Sequence, residues 1–84
     1  MHVLFIIDPL PSLKAYKDSS VAMMRALAQR GHRLSVAYQP DLYIDEGVVK
    51  AVAHAIELVP GADLHGTQWW RESAGPAETA LAEF

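Results

Sequence analysis

Two short strings hold the side chains best suited to chemistry, Asp8-Pro9 and Lys17-Asp18-Ser19-Ser20. The carboxylate of Asp8 or Asp18 can take a ligand's ammonium group. Serine hydroxyls add donors, and a helix opening at Ser19 and Ser20 would offer free N–H groups suited to a carboxylate or phosphate. An amino-acid-like ligand, with one ammonium and one carboxylate, matches that mixture. Asp8, Asp18, Ser19 and Ser20 are therefore the candidate substrate-binding residues, and no catalytic residue is assigned. Plainer uses stand beside this reading. Asp18 and Ser19 are good helix N-caps, Asp8 can satisfy loop N–H groups, and Lys14 and Lys17 can be solvated.

Other chemistries find less support. There is no cysteine to act as nucleophile, metal ligand or disulfide partner. His2, His32, His54 and His65 lack the spacing of two ligands on one helix face, so no metal site is expected. The absence of a glycine-rich phosphate loop argues against a dinucleotide or P-loop site. Trp69-Trp70 reads as one ring in a core and one at an interface, and Met23 and Met24 read as core.

The elements that must position these residues follow from pattern. Val3–Ile7 is a continuous apolar run stopped by Asp8-Pro9, which fits a strand buried on both faces. Pro9 and Pro11 make the next stretch irregular. A helix follows Asp18-Ser19-Ser20. Val21, Met23, Met24, Leu27 and Ala28 fall within one arc of about 160°, and Gly31 stands where the helix should end. Arg33–Tyr38 alternates polar and apolar as a second strand. Strand, helix and strand make a βαβ unit with parallel strands. In such a sheet ligands bind beyond the carboxyl ends of the strands, where Asp8 and the helix start both lie. Asp41–Ile44, the turn Asp45-Glu46-Gly47 and Val48–Val59 then read as a hairpin. Gln68–Arg71 reads as a short strand, and Ala77–Phe84 as a short helix opened by Pro76.

The chain has 84 residues, 51% hydrophobic and 20% charged, with a net charge of −3. That bounds it to one small domain, residues 1–84. Its seven Lys and Arg residues are scattered rather than clustered, so no nucleic-acid partner is expected. No segment is long and apolar enough for a membrane span or a leader, so the cytoplasm is expected.

The string IIDPLPSLKAYKDSSVAMMRALAQRGHRLSVAYQPDLYIDEGVVKA resembles the N-terminus of the prokaryotic glutathione synthetase family. Asp8-Pro9, Lys17-Asp18-Ser19-Ser20, Arg30-Gly31 and Asp41-Leu42-Tyr43, in that order, carry the resemblance. It runs from Val3 to about Leu58, and beyond Pro60 only Trp69-Trp70 and the spacing agree. The resemblance implies an α/β, Rossmann-like pre-ATP-grasp domain, a βαβ unit followed by a β-hairpin, incomplete at its C-terminus. It implies a ligase that joins γ-glutamylcysteine to glycine through an acylphosphate, using ATP and Mg²⁺. The ATP-grasp domains that hold those cofactors would lie outside these residues, so the 84 residues alone should be inactive. Asp18, Ser19 and Ser20 would lie near the γ-glutamylcysteine site, with Asp8 in support. Homo-oligomerisation is expected as well. Two other readings remain open, the N-terminal half of a GT-B glycosyltransferase and a non-catalytic binding module.

Overall fold

The apolar run at the start forms β1 (His2–Ile7) in the computed structural model, which describes residues 1–84. Asp18 then caps α1 (Ser19–Gln29), its side chain accepting from the Val21 N–H. At the other end Gly31 takes φ +80, a conformation that costs glycine least. The Gly31 N–H donates to the Ala28 carbonyl and the His32 N–H to that of Leu27, the paired bonds of a Schellman end. The chain returns as β2 (Arg33–Tyr38), parallel to β1 from His2↔Arg33 to Ile7↔Tyr38.

β3 (Leu42–Asp45) and β4 (Val48–Leu58) form the expected hairpin. Its two turn residues, Glu46 and Gly47, both have positive φ, the twist that suits a two-residue hairpin loop. β4 is the spine of the sheet. Ala51 lies between Leu42 of β3 and Thr79 of β6 (Ala77–Ala80), and Ile56 between Leu34 of β2 and Glu72 of β5 (Trp70–Glu72). The main path through the six strands is β1-β2-β4-β3. The single helix has 11 residues, and no helix is long and apolar enough to cross a membrane.

One face of the sheet packs on α1. Phe5, Val21, Met24, Leu34, Val36, Ile56 and Trp69 form the core, with Leu10 and Ala15 brought in from the β1–α1 connection. Trp69 is buried there and Trp70 packs half-buried against it.

Three expectations are corrected. Residues 77–84 are not a helix, because Ala77–Ala80 pairs with Lys50–Ala53 along an edge of β4 and only Leu81–Glu83 makes a 3₁₀ turn. Proline at a first helical position is a local signal, and an open edge of an 11-residue strand overrides it. β1 is not buried on both faces, since it ends the sheet and the helix covers one side only. Phe5 is buried whereas Ile6 is 47% exposed. Met23 is not core, being 54% exposed at the rim of the apolar arc, beyond the reach of the sheet.

Candidate functional site

The parallel register brings the carboxyl ends of β1 and β2 together, and the chain leaves them at Asp8 and Gln39. Between β1 and α1 it runs over a 3₁₀ turn at Leu10–Ser12. Leu10, 1% exposed, and Ala15, 5% exposed, pin this connection to the core. The Ser12 hydroxyl donates to the Pro9 carbonyl at 2.6 Å, and the Lys14 carbonyl accepts the N–H groups of Lys17 and Asp18, each at 3.0 Å. The connection is thus ordered from both ends, although no strand or α-helix runs through it.

Two cavities open beside it. One, about 330 Å³, is lined by Ile6, Ile7, Asp8, Leu13, Asp18, Ser20 and Gln39. The other, about 490 Å³, is lined by Asp8, Ser12, Leu13, Lys14, Lys17, Asp18 and Ser19. All four residues expected from sequence, Asp8, Asp18, Ser19 and Ser20, therefore border this crevice, and Asp8, Leu13 and Asp18 line both lobes.

Asp18 serves as cap and border at once. Its Oδ1 accepts the Val21 N–H at 3.1 Å and its carbonyl takes the first helical hydrogen bond, from the Ala22 N–H. That leaves Oδ2 for another partner. The capping use and the binding use are therefore compatible. No side-chain hydrogen bond engages Asp8, Lys14, Lys17, Ser19 or Ser20. The Lys17 ammonium lies 5.8 Å from the Tyr16 ring centre, and Tyr16 stacks on His65 at 4.2 Å. Gln39 was not anticipated from sequence. The signal for it was the crevice rule itself, applied to the end of the second strand as well as the first.

The largest cavity lies elsewhere, at the amino ends of the same strands. It measures about 610 Å³, and His2, His32, Arg33, Glu57, Pro60 and Arg71 are among its lining residues. Three of its polar side chains already have partners, while those of His32 and Arg33 have none. Arg71 Nη2 reaches Glu57 Oε2 at 2.9 Å, and His2 Nε2 lies 2.7 Å from Ser35 Oγ. Burial, then the charges of Arg33 and the N-terminus, hold His2 below the usual histidine range. Size favours this cavity, but the unpaired charges favour the crevice, and binding is a matter of unpaired groups.

The remaining ion pairs brace the sheet. Lys50 Nζ meets Asp45 Oδ2 at 3.0 Å across the hairpin, and that hydrogen bond holds the lysine above its ordinary range. His54 Nδ1 meets Glu72 Oε1 at 3.0 Å. No three His, Asp or Glu side chains converge as a metal site would require.

Comparison with known proteins shows the family. The family described as prokaryotic glutathione synthetase, N-terminal domain, matches residues 1–84, so the likeness extends past Pro60 to the end of the chain. The glutathione synthetase of Bordetella pertussis is 67% identical over 84 residues, covering 100% of this chain and 26% of the relative. That of Neisseria meningitidis serogroup B is 44% identical over the same 84 residues, again 26% of the relative. That of Gloeobacter violaceus is 41% identical over 61 residues, 73% of this chain and 19% of the relative. The chain thus spans about a quarter of the length of the Bordetella and Neisseria relatives.

Proposed function

Because this chain belongs to the prokaryotic glutathione synthetase N-terminal domain family, we propose that residues 1–84 form one wall of the γ-glutamylcysteine site of an ATP-dependent carbon–nitrogen ligase. The longer protein would join that dipeptide to glycine in the cytoplasm, as a homo-oligomer, with Asp18, Ser19 and Ser20 on the dipeptide and Asp8 in support. The observation that carries this is the crevice at the carboxyl ends of β1 and β2, where Asp18 is fixed by its capping bond yet keeps a free carboxylate oxygen. The family relation sets aside the glycosyltransferase reading.

ATP and Mg²⁺ belong to this reading of the longer protein, where they would activate the cysteinyl carboxylate by phosphorylation. The residues of this chain do not fit them. It has no converging set of metal ligands and no glycine-rich phosphate cradle. Its own part is to bind and orient. Holding a substrate within reach of its reaction partner lowers the barrier by removing translational and rotational freedom beforehand. Ser19→Ala in the longer protein should raise KM for γ-glutamylcysteine several-fold and leave KM for ATP unchanged. An unaltered dipeptide KM would return Ser19 to the role of a helix residue.

A further inference from the structure

We infer that the crevice reads the zwitterionic γ-glutamyl end of the dipeptide, with Asp18 and Asp8 taking its α-ammonium and Lys17 and Lys14 its α-carboxylate. This rests on the proposed function above and adds the orientation of the substrate.

The inference comes from how charge is arranged in the two lobes. The smaller lobe carries two carboxylates and no cation, with the Gln39 amide at its rim. The larger shares those carboxylates but adds both lysines and the Ser12 and Ser19 hydroxyls. The four charged groups border one concavity, yet none of them is in an ion pair. The three ion pairs of the chain all lie elsewhere, at Lys50–Asp45, His54–Glu72 and Arg71–Glu57. Two cations and two anions that line one concavity without pairing suit a ligand that carries one charge of each sign. A simple dicarboxylate would meet Asp8 and Asp18 with repulsion, and a diamine would meet the lysines likewise.

The two lobes meet at Asp18, Asp8 and Leu13. An ammonium and a carboxylate on the same carbon are only a few ångström apart, which matches two lobes with a shared wall. The γ-glutamyl α-carbon is the one centre of the dipeptide that carries both charged groups.

The test crosses two variants with two truncated substrates in the longer protein. Glutaryl-cysteine lacks the α-ammonium, and 4-aminobutanoyl-cysteine lacks the α-carboxylate. The unaltered protein should lose about tenfold in kcat/KM with either, because one charged group of the crevice is left without its partner. Asp18→Asn keeps a good helix cap. It should weaken the parent dipeptide but be nearly indifferent to loss of the ammonium, while still discriminating against the substrate without the carboxylate. Lys17→Met should show the reverse. Non-additivity of that crossed kind reports direct contact. If both variants weaken the parent dipeptide but each responds equally to the two truncations, the orientation is wrong and the site stands. If neither variant alters KM for the dipeptide, the site itself is wrong.

Discussion

At the amino ends of β1 and β2 the acid has its base and one cation, Arg33, is left over, whereas at the carboxyl ends two acids and two bases all stand unpaired. Both ends carry a cavity and a mixture of acids and bases. At the amino end, Arg71 is matched by Glu57 and His2 by Ser35. At the carboxyl end, Asp8, Lys14 and Lys17 have no polar partner, and Asp18 uses one oxygen only. The difference is not mainly one of stability, since an exposed ion pair contributes only about 0.2–1 kcal/mol. It is a difference in what remains available to a ligand. A cavity whose acid is already neutralised and which keeps only the Arg33 cation free offers little to a molecule carrying both charges, however large it is. A smaller crevice whose charges are kept apart by a pinned loop offers a great deal.

That contrast depends on the loop being held, so the largest effect should come from its anchor. Leu10 is 1% exposed and joins the core from the crevice loop. Leu10→Ala should cost about 2–5 kcal/mol, read from denaturant unfolding. A change below about 0.5 kcal/mol would mean that the loop floats and the crevice is not preformed. Next comes the cap. Asp18→Ala should cost about 1 kcal/mol and Asp18→Asn much less, because asparagine caps nearly as well. Equal losses from the two would show that the carboxylate charge stabilises the fold itself, and the distinction between the two ends would blur. Replacing Lys14 and Lys17 together with glutamine should leave stability within about 0.5 kcal/mol while raising the dipeptide KM of the longer protein. A large loss of stability would show those charges to be structural after all.

The crevice was more legible in the sequence than the sheet that carries it. Asp18 announced itself through the helix start behind it, and Asp8 through the end of an apolar run, and both signals are local. The βαβ unit and the hairpin were legible for the same reason. Gly31 and the Asp45-Glu46-Gly47 turn mark their ends in a few residues. What failed was decided at a distance. Ala77–Ala80 is a strand because Lys50–Ala53 offers it an edge (Lys50↔Ala80 to Ala53↔Ala77 in register), which no window around Pro76 can show. Ile6 is half-exposed because no element packs over that face at its position. Met23 has the right residue type but lies at the edge of its helical stripe. Gln39 was passed over because its strand ends in no chemical string, only at the right place.

The smallest effects test the amino end. His2 lies below the usual histidine range, so its neutral form is favoured by the fold. The unfolded chain then takes up a proton at a higher pH than the folded chain does, and stability increases with pH across that interval. The contribution is complete above about pH 6.5, the value for an unperturbed histidine, and is lost as pH falls through the lower folded value. His2→Gln should flatten the difference in stability between neutral and mildly acidic solution relative to the unaltered chain. An unchanged pH profile would mean that His2 is solvated and the amino-end cavity is open in both forms. Arg71→Gln should do less still. Its side chain is 68% exposed and that of Glu57 55% exposed, so their pairing should be worth at most about 1 kcal/mol. The loss should shrink further in about 1 M salt, where screening acts over roughly 3 Å. The same variant leaves Glu57 without its arginine, which should make the amino-end cavity more acidic without touching the dipeptide KM of the longer protein. If Arg71→Gln instead raised that KM as much as Lys17→Met does, the two ends of the β1–β2 pair would be coupled, and the amino-end cavity would have to be counted as part of the substrate site.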